Sequence, residues 1–149
     1  MALSYILATL HILTFGIGFY GVWSRANALK KLKDVSGLDD VFKADNLWGL
    51  AALLWIATGL WRAFGGLEKG SGYYLHSTIF IIKMSLFVLV FLIEIKPMMT
   101  LTKWRTQKRK QQLIDFSSAR QLAFLSHLEL GLITIIVCMA TAMARGIGY

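Results

Sequence analysis

Long apolar segments alternate with short polar connectors along this chain. Four segments, at about residues 2–23, 46–66, 77–96 and 123–144, reach the length of about 20 apolar residues that a helix needs to cross a bilayer. The pattern therefore predicts an all-α fold, an integral membrane four-helix bundle that forms a single domain over residues 1–149. Aromatic residues near the segment ends are expected to anchor the helices at the membrane interfaces. They are Trp23, Trp48, Trp61, Tyr73, Tyr74, Trp104 and Tyr149.

Composition also indicates a membrane protein rather than a soluble domain. Hydrophobic residues make up 56% of the chain, its mean hydropathy is +0.59, and proline occurs once. A single small core cannot bury that much apolar surface, so we expect the lipid bilayer to be the protein's partner. The sequence GIGFYG at residues 16–21 has the spacing of a dinucleotide-binding turn, but it lies inside an apolar helix and follows no strand. Its glycines are predicted to allow close contacts between helices.

The basic residues predict the orientation of the helices. The net charge is +8. Most Lys and Arg residues lie in or beside the connectors after the first and third segments, namely Arg25, Lys30, Lys31, Lys33, Lys43, Lys103, Arg105, Lys108, Arg109, Lys110 and Arg120. Near the opposite ends lie Arg62, Lys69 and Arg145. The positive-inside rule then puts both connectors in the cytoplasm and both termini outside. We attribute the basic segment at residues 103–112 to this topology and expect no nucleic-acid partner.

Polar, small and titratable residues recur at heptad spacing on one side of each predicted helix. In a membrane bundle such residues face the interior, where small ones allow close packing and charged ones find partners. We call each such row of residues a seam and expect it to face inward. The four seams, from the first helix to the fourth, are His11, Thr14, Gly18, Gly21 and Arg25; Trp48, Ala52, Trp55, Gly59 and Arg62; His76, Phe80, Lys83, Phe87, Val90 and Glu94; and His127, Gly131, Thr134, Cys138, Thr141 and Arg145. Glu129 lies two positions from His127 and is expected to point elsewhere, into a neighbouring groove. Pro97 is expected to end the third helix.

Depth divides the charged residues into two sets. The inner half holds both signs of charge, and we expect this set to neutralise itself by ion pairing. Its members are Arg25, Glu94, Arg105, Arg120, His127 and Glu129. The outer half is cationic, with Arg62, Lys83 and Arg145, and we expect a ligand to supply the missing negative charge.

A histidine in the membrane interior below several cations fits haem b. His11 lies near mid-membrane, and haem iron takes histidine as an axial ligand. Cations one or two helical turns away, roughly 5–10 Å, can hold the two propionates. The predicted cofactor-binding residues are His11 as the metal ligand, Gly18 as room for the macrocycle, and Arg62, Lys83 and Arg145 for the carboxylates. The predicted function is an oxidoreductase in porphyrin or electron-transfer chemistry, with a tetrapyrrole or a quinone as a further partner.

Two other interpretations stay open. Copper handling would use His11, His76 and methionine residues as a metal relay. A non-catalytic assembly subunit would instead use Glu129 and the glycine-rich face to contact another chain, and a homo-oligomer is one such assembly.

Several short motifs carry a resemblance to a known family. They are D-x-x-W-G at residues 45–49, T-G-x-x-R at 58–62, K-G-x-x-Y-Y at 69–74 and M-A-R-G at 143–146. With these motifs the chain resembles, over nearly its whole length, a bacterial four-helix membrane family of unknown function. The resemblance implies a location in the bacterial inner membrane, with both termini in the periplasm by the charge rule above.

That family is in turn distantly similar to a superfamily that contains the copper-resistance D proteins and the HemJ-type protoporphyrinogen oxidases. Those oxidases are four-helix haem b proteins with a histidine in the first helix and a lysine in the third. The resemblance implies that His11 and Lys83 are the matching catalytic residues. The oxidases end the third helix in an R-x-x-N-E-x-P-like stretch, whereas this chain has EIKPMMTLTKWR at residues 94–105. The resemblance therefore extends to haem binding more readily than to the oxidase reaction.

Overall fold

Four long helices make up most of the structure, a computed structural model that describes residues 2–66, 72 and 76–147. They are α1 (Ala2–Lys31), α2 (Leu38–Phe64), α3 (Thr78–Arg109) and α4 (Ala119–Ala144), and a 3-10 turn at Val35–Gly37 precedes α2. All four helices are long and apolar enough to cross a membrane. The predicted all-α four-helix membrane fold is therefore confirmed. The predicted anchors Tyr73, Tyr74 and Tyr149 lie outside the described residues.

Two helices continue well beyond their apolar segments. α1 runs to Lys31 and α3 to Arg109, whereas the sequence predicts ends near residues 23 and 96. The prediction that the third helix ends at Pro97 is wrong, because Pro97 is buried inside α3. Proline removes one backbone hydrogen bond, but neighbouring helices can hold the turns on either side of it in helical form. With 30 and 32 residues, α1 and α3 are roughly 45–48 Å long, so they project from a hydrocarbon core about 30 Å thick.

The helices alternate in direction, and both basic connectors lie at one end of the bundle. α1 packs against both α2 and α4, and α3 packs against α4. Side chains link α2 to α3: the rings of Trp55 and Phe87 meet edge to face with centroids 5.9 Å apart, and Lys108 Nζ lies 2.6 Å from Asp39 Oδ1. The four helices therefore enclose a common interior.

Glycines bring α1 close to α2, as the first seam predicts. A Cβ atom added at Gly21 would lie 2.9 Å from the backbone nitrogen of Trp48, so no side chain fits there unless the helices separate. At Gly18, a Cβ atom would lie 3.2 Å from the Trp48 ring and 3.3 Å from Ala51 Cβ. The predicted close contact between helices is confirmed. Trp48 and Ala51 therefore fill the space beside Gly18 that the sequence assigns to a macrocycle.

A charged layer, composed of Arg25, Asp45, Glu94, Arg105 and Glu129, separates two apolar clusters in the interior. The cluster at the connector end contains Leu29, Leu38, Val41, Leu101, Trp104, Ala119, Leu122 and Ala123. The other cluster contains Val22, Trp48, Trp55, Val90, Ile133 and Ile136. Arg25, Asp45, Glu94 and Glu129 each lie on their helix between residues of the two clusters, whereas Arg105 follows Trp104 at the connector end. Protein therefore encloses four of the five residues of the layer on both sides.

The buried face of α4 differs from the predicted seam. Ser126, Glu129, Ile133 and Ile136 are buried. The predicted inward residues Gly131, Thr134, Cys138, Thr141 and Arg145 are exposed. A threonine can face lipid because its hydroxyl finds an acceptor in its own helix: Thr134 Oγ1 donates to the Leu130 carbonyl at 2.8 Å. The seams of α1 and α2 are confirmed as inward, and so is that of α3 apart from the exposed His76.

Large apolar side chains cover the outer surface of the helices. Ile12, Leu53 and Phe91 expose 66%, 67% and 59% of their surface, as expected for residues that contact lipid. Trp23 and Trp61 are also exposed, in agreement with their predicted role as anchors. The same prediction is wrong for Trp48 and Trp104, which are buried in the two apolar clusters.

Candidate functional site

Arg25 is the fully buried centre of the charged layer, and each of its five N–H donors has an acceptor. Nε donates to Ser126 Oγ at 3.1 Å. Nη1 donates to Asp45 Oδ1 at 2.9 Å and to Glu94 Oε1 at 2.6 Å. Nη2 donates to Glu94 Oε2 at 2.8 Å and to Glu129 Oε2 at 2.7 Å. One side chain of α1 is therefore bonded to α2, α3 and α4.

Asp45 connects Arg25 to a second guanidinium group. Its Oδ2 atom accepts a hydrogen bond from Arg105 Nη2 at 2.7 Å, while Oδ1 accepts from Arg25. Arg105 also donates to Asn46 Oδ1 at 2.7 Å and lies over the Phe42 ring, 4.9 Å from its centre. Asp45 thus bridges α1 and α3, a role that sequence reasoning missed although Asp45 begins the D-x-x-W-G motif.

The predicted ion pairing of the inner charges is confirmed, with two exceptions. Arg120 is exposed, and His127 bonds through Nδ1 to the Ala123 carbonyl of its own helix at 2.7 Å. The expectation that Glu129 points into a neighbouring groove is wrong, because its side chain is fully buried and bound to Arg25. Glu129 is therefore not placed to contact another chain.

His11 forms a second polar position, nearer the termini. It lies half-buried on the inward face of α1, and its ring stacks on Trp55 with centroids 5.7 Å apart. Its Nδ1 atom lies 2.9 Å from Thr58 Oγ1, which in turn donates its hydrogen to the Leu54 carbonyl at 2.7 Å. Because the threonine hydrogen is used in this way, the hydroxyl oxygen accepts from His11 Nδ1–H. The lone pair of the imidazole is then on Nε2.

The other two histidines have a different environment. His76 Nδ1 lies 2.8 Å from the Gly72 carbonyl oxygen, and His127 Nδ1 contacts the Ala123 carbonyl, in both cases four residues earlier in the chain. His11 instead bonds to a side chain of a different helix. Within the described residues, it is the histidine that the fold orients toward the interior through a neighbouring helix.

The predicted cations lie in three different environments. Lys83 is half-buried on the inward face of α3, with Nζ 5.0 Å from the centre of the Phe80 ring. Arg62 is half-buried in the last turn of α2. Arg145 is exposed just after α4, since the predicted seam of that helix is wrong. Lys83 and Arg62 are therefore half-buried, whereas Arg145 is exposed.

Metal ligands of the ordinary protein kinds do not cluster in the described part of the chain. No group of three or more His, Cys, Asp or Glu side chains is arranged there to hold a metal ion.

The fold and these polar positions define an integral membrane protein: a four-helix bundle with a buried charged layer and an inward-facing histidine. The chain belongs to the family described as Predicted membrane protein (DUF2214), whose profile matches residues 3–148. The predicted membership of a membrane family of unknown function is thereby confirmed, and the more distant similarity to copper-resistance D and HemJ-type proteins stays a prediction. No curated protein and no solved structure matches the chain significantly.

Proposed function

We propose that this protein binds haem b in the bacterial inner membrane and that His11 would be the protein ligand of the iron. The observation that carries the proposal is the hydrogen bond between His11 Nδ1 and Thr58 Oγ1. A metal-ligating histidine almost always donates its other ring N–H to an oxygen, which fixes the tautomer and orients the ring. His11 has this arrangement, and its Nε2 atom carries the lone pair that haem iron accepts. The donor chemistry of the residue therefore fits the cofactor.

Other residues of the bundle also support haem as the bound cofactor. Haem carries two propionates, and α3 and α2 each carry a half-buried cation, Lys83 and Arg62. Trp55 and Phe87 supply aromatic surface between these helices. Residues of α1, α2 and α3 thus form the proposed haem site. Arg145, one of the cofactor-binding residues predicted from sequence, is not part of it.

Redox chemistry is the activity that such a site would support. Bound haem supplies one-electron transfer, while the protein binds and orients it. Thr58 holds the His11 ring, Lys83 and Arg62 hold carboxylates, and the apolar interior excludes water. The substrate class is either a tetrapyrrole, whose carboxylates the same cations would bind, or an electron carrier of the membrane such as a quinone.

The proposal includes an orientation in the membrane. The two connectors share one end of the bundle and carry most of the basic residues, which favours a cytoplasmic position for both. Both termini are then periplasmic, and His11 lies in the half of the bundle nearer the periplasm.

Thr58→Val is the most informative test of the ligand arrangement. Valine keeps the shape of threonine but cannot accept the hydrogen bond from His11 Nδ1. Loss of such an outer partner lowers metal affinity by about 10- to 100-fold. We expect the wild-type protein, purified after haem-replete expression, to show a Soret band, Thr58→Val to lose haem more readily, and His11→Ala to lose the band. Thr134→Val is the matched control, because Thr134 is exposed and bonds to its own helix.

Each alternative gives a different result in the same samples. Wild-type protein without a Soret band refutes haem binding, and an unchanged spectrum in His11→Ala refutes the ligand assignment. Bound copper without a Soret band would instead support metal handling, and a stoichiometric partner with neither metal would support an assembly subunit.

A further inference from the structure

The charged layer holds more carboxylates than guanidinium groups. The titratable groups that face it are Arg25 from α1, Asp45 from α2, Glu94 and Arg105 from α3, and Glu129 from α4. Arginine stays protonated in proteins, so three ionised carboxylates against two guanidinium groups would leave about one net negative charge. An uncompensated charge inside a bundle is strongly unfavourable.

The surplus charge coincides with an unsatisfied atom. Both oxygens of Glu94 accept hydrogen bonds from Arg25, and the two oxygens of Asp45 are shared between Arg25 and Arg105. Glu129 Oε2 also accepts from Arg25, but the buried Glu129 Oε1 has no hydrogen-bond partner among the described residues. Arg25 cannot supply another bond, because all five of its donors are engaged.

Glu94 and Glu129 are immediate neighbours in the layer. Their Oε2 atoms bind the same Arg25 nitrogen at 2.8 and 2.7 Å, so they lie no farther apart than 5.5 Å, the sum of the two distances. At so short a separation, two negatively charged carboxylates repel each other. Two ionised carboxylates offer only acceptors, so a hydrogen bond between them requires a proton.

We propose that the charged layer is a proton-binding site, in which the Glu129 carboxyl group carries one proton and shares it with Glu94. The proton neutralises the surplus negative charge. It also allows the unsatisfied Glu129 Oε1 atom to form a hydrogen bond. A metal ion is a poorer occupant, because the described residues present no set of three metal-ligating side chains. Since the layer bonds all four helices together, gain or loss of this proton acts on the packing of the whole bundle. The site is independent of haem binding at His11.

Infrared spectroscopy of the full chain in lipid vesicles tests this site. A protonated carboxylic acid has a C=O stretching band that is separate from those of carboxylates. We expect this band at neutral pH in the wild type and its loss in Glu129→Gln. Asp115→Asn is the control and should keep the band. Asp115 lies in the α3–α4 connector, where hydrogen bonds from the Ser117 backbone N–H and hydroxyl lower the pKa of its carboxyl, so it is ionised at neutral pH.

Isotope labelling gives a readout that needs no variant. The chain contains three glutamates, Glu68, Glu94 and Glu129, and ¹³C at their carboxyl carbons should shift the acid band. The proposal is overturned if the wild type has no acid band, if the band does not shift with this label, or if it persists in Glu129→Gln. Glutamine is uncharged and has nearly the same shape as protonated glutamic acid, so Glu129→Gln should also fold. An unfolded variant would contradict the proposal that the Glu129 side chain is neutral.

Discussion

Replacement of Arg25 by lysine keeps the positive charge of the layer but removes its planar fork. The guanidinium group makes five hydrogen bonds, to Ser126, Asp45, Glu94 and Glu129. An ammonium group has three donors, so at least two of those five bonds are lost. A hydrogen bond to a charged group contributes about 1.5–3 kcal/mol. We therefore expect Arg25→Lys to lower the free energy of unfolding by about 3–6 kcal/mol.

Thermal unfolding in mild detergent, followed by circular dichroism, measures this change. Arg120→Lys makes the same substitution at an exposed position of α4, and such surface changes usually stay within about 0.5 kcal/mol of the wild type. If Arg25→Lys unfolds at the same temperature as this control, the layer depends on charge alone. The bonding pattern of the guanidinium would then not be what stabilises the bundle.

Packing, ligand binding and topology provide three more tests. Gly21→Ala should lower the free energy of unfolding by about 1–3 kcal/mol, because the added Cβ would lie 2.9 Å from the Trp48 backbone nitrogen. Gly16→Ala is the control, because a Cβ there meets open space and should not destabilise the protein. Equal effects of the two substitutions would refute the packing argument. Lys83→Met removes a charge at nearly constant length, so haem retention on gel filtration should fall while the protein stays inserted and helical; normal retention would make Lys83 structural. Alkaline phosphatase fused after Tyr149 should be active in the periplasm, and an inactive but well-expressed fusion would reverse the orientation.

The inward faces of α1 and α3 were predictable because each carries a charged residue whose hydrogen-bond partners lie on other helices. Arg25 and Glu94 need partners on other helices, so their seams face the interior. In α4, the hydroxyls of Thr134 and Thr141 bond to carbonyls of the same helix and tolerate lipid. The prediction for α4 was therefore wrong because it followed the row that contains these threonines. The position of Glu129 would have identified the buried face correctly.

Helix ends and cross-helix bonds were less accessible to sequence reasoning. The last turns of α3 are polar enough to resemble a connector, but Leu101 and Trp104 are buried by contact with other helices rather than by lipid. Asp45 falls just outside the predicted second helix, because hydropathy places the start of that helix at residue 46. Its pairing with two arginines depends on the true start of α2 at Leu38 and on the lengths of α1 and α3.

The distribution of the layer's charges over the helices has a consequence for insertion into the bilayer. Arg25 enters on the first helix, and the second helix immediately supplies Asp45, so the first hairpin already contains a neutral pair. The third helix adds Glu94 together with Arg105 and leaves that balance unchanged. The fourth helix adds Glu129 without a cation of the layer, and an ionised side chain at its centre is unfavourable in hydrocarbon by a few kcal/mol, about 2.5–3.5 for aspartate. If Glu129 carries the proposed proton, α4 enters the bilayer with a neutral carboxylic acid, and insertion of this helix is the step of biogenesis that needs the proton.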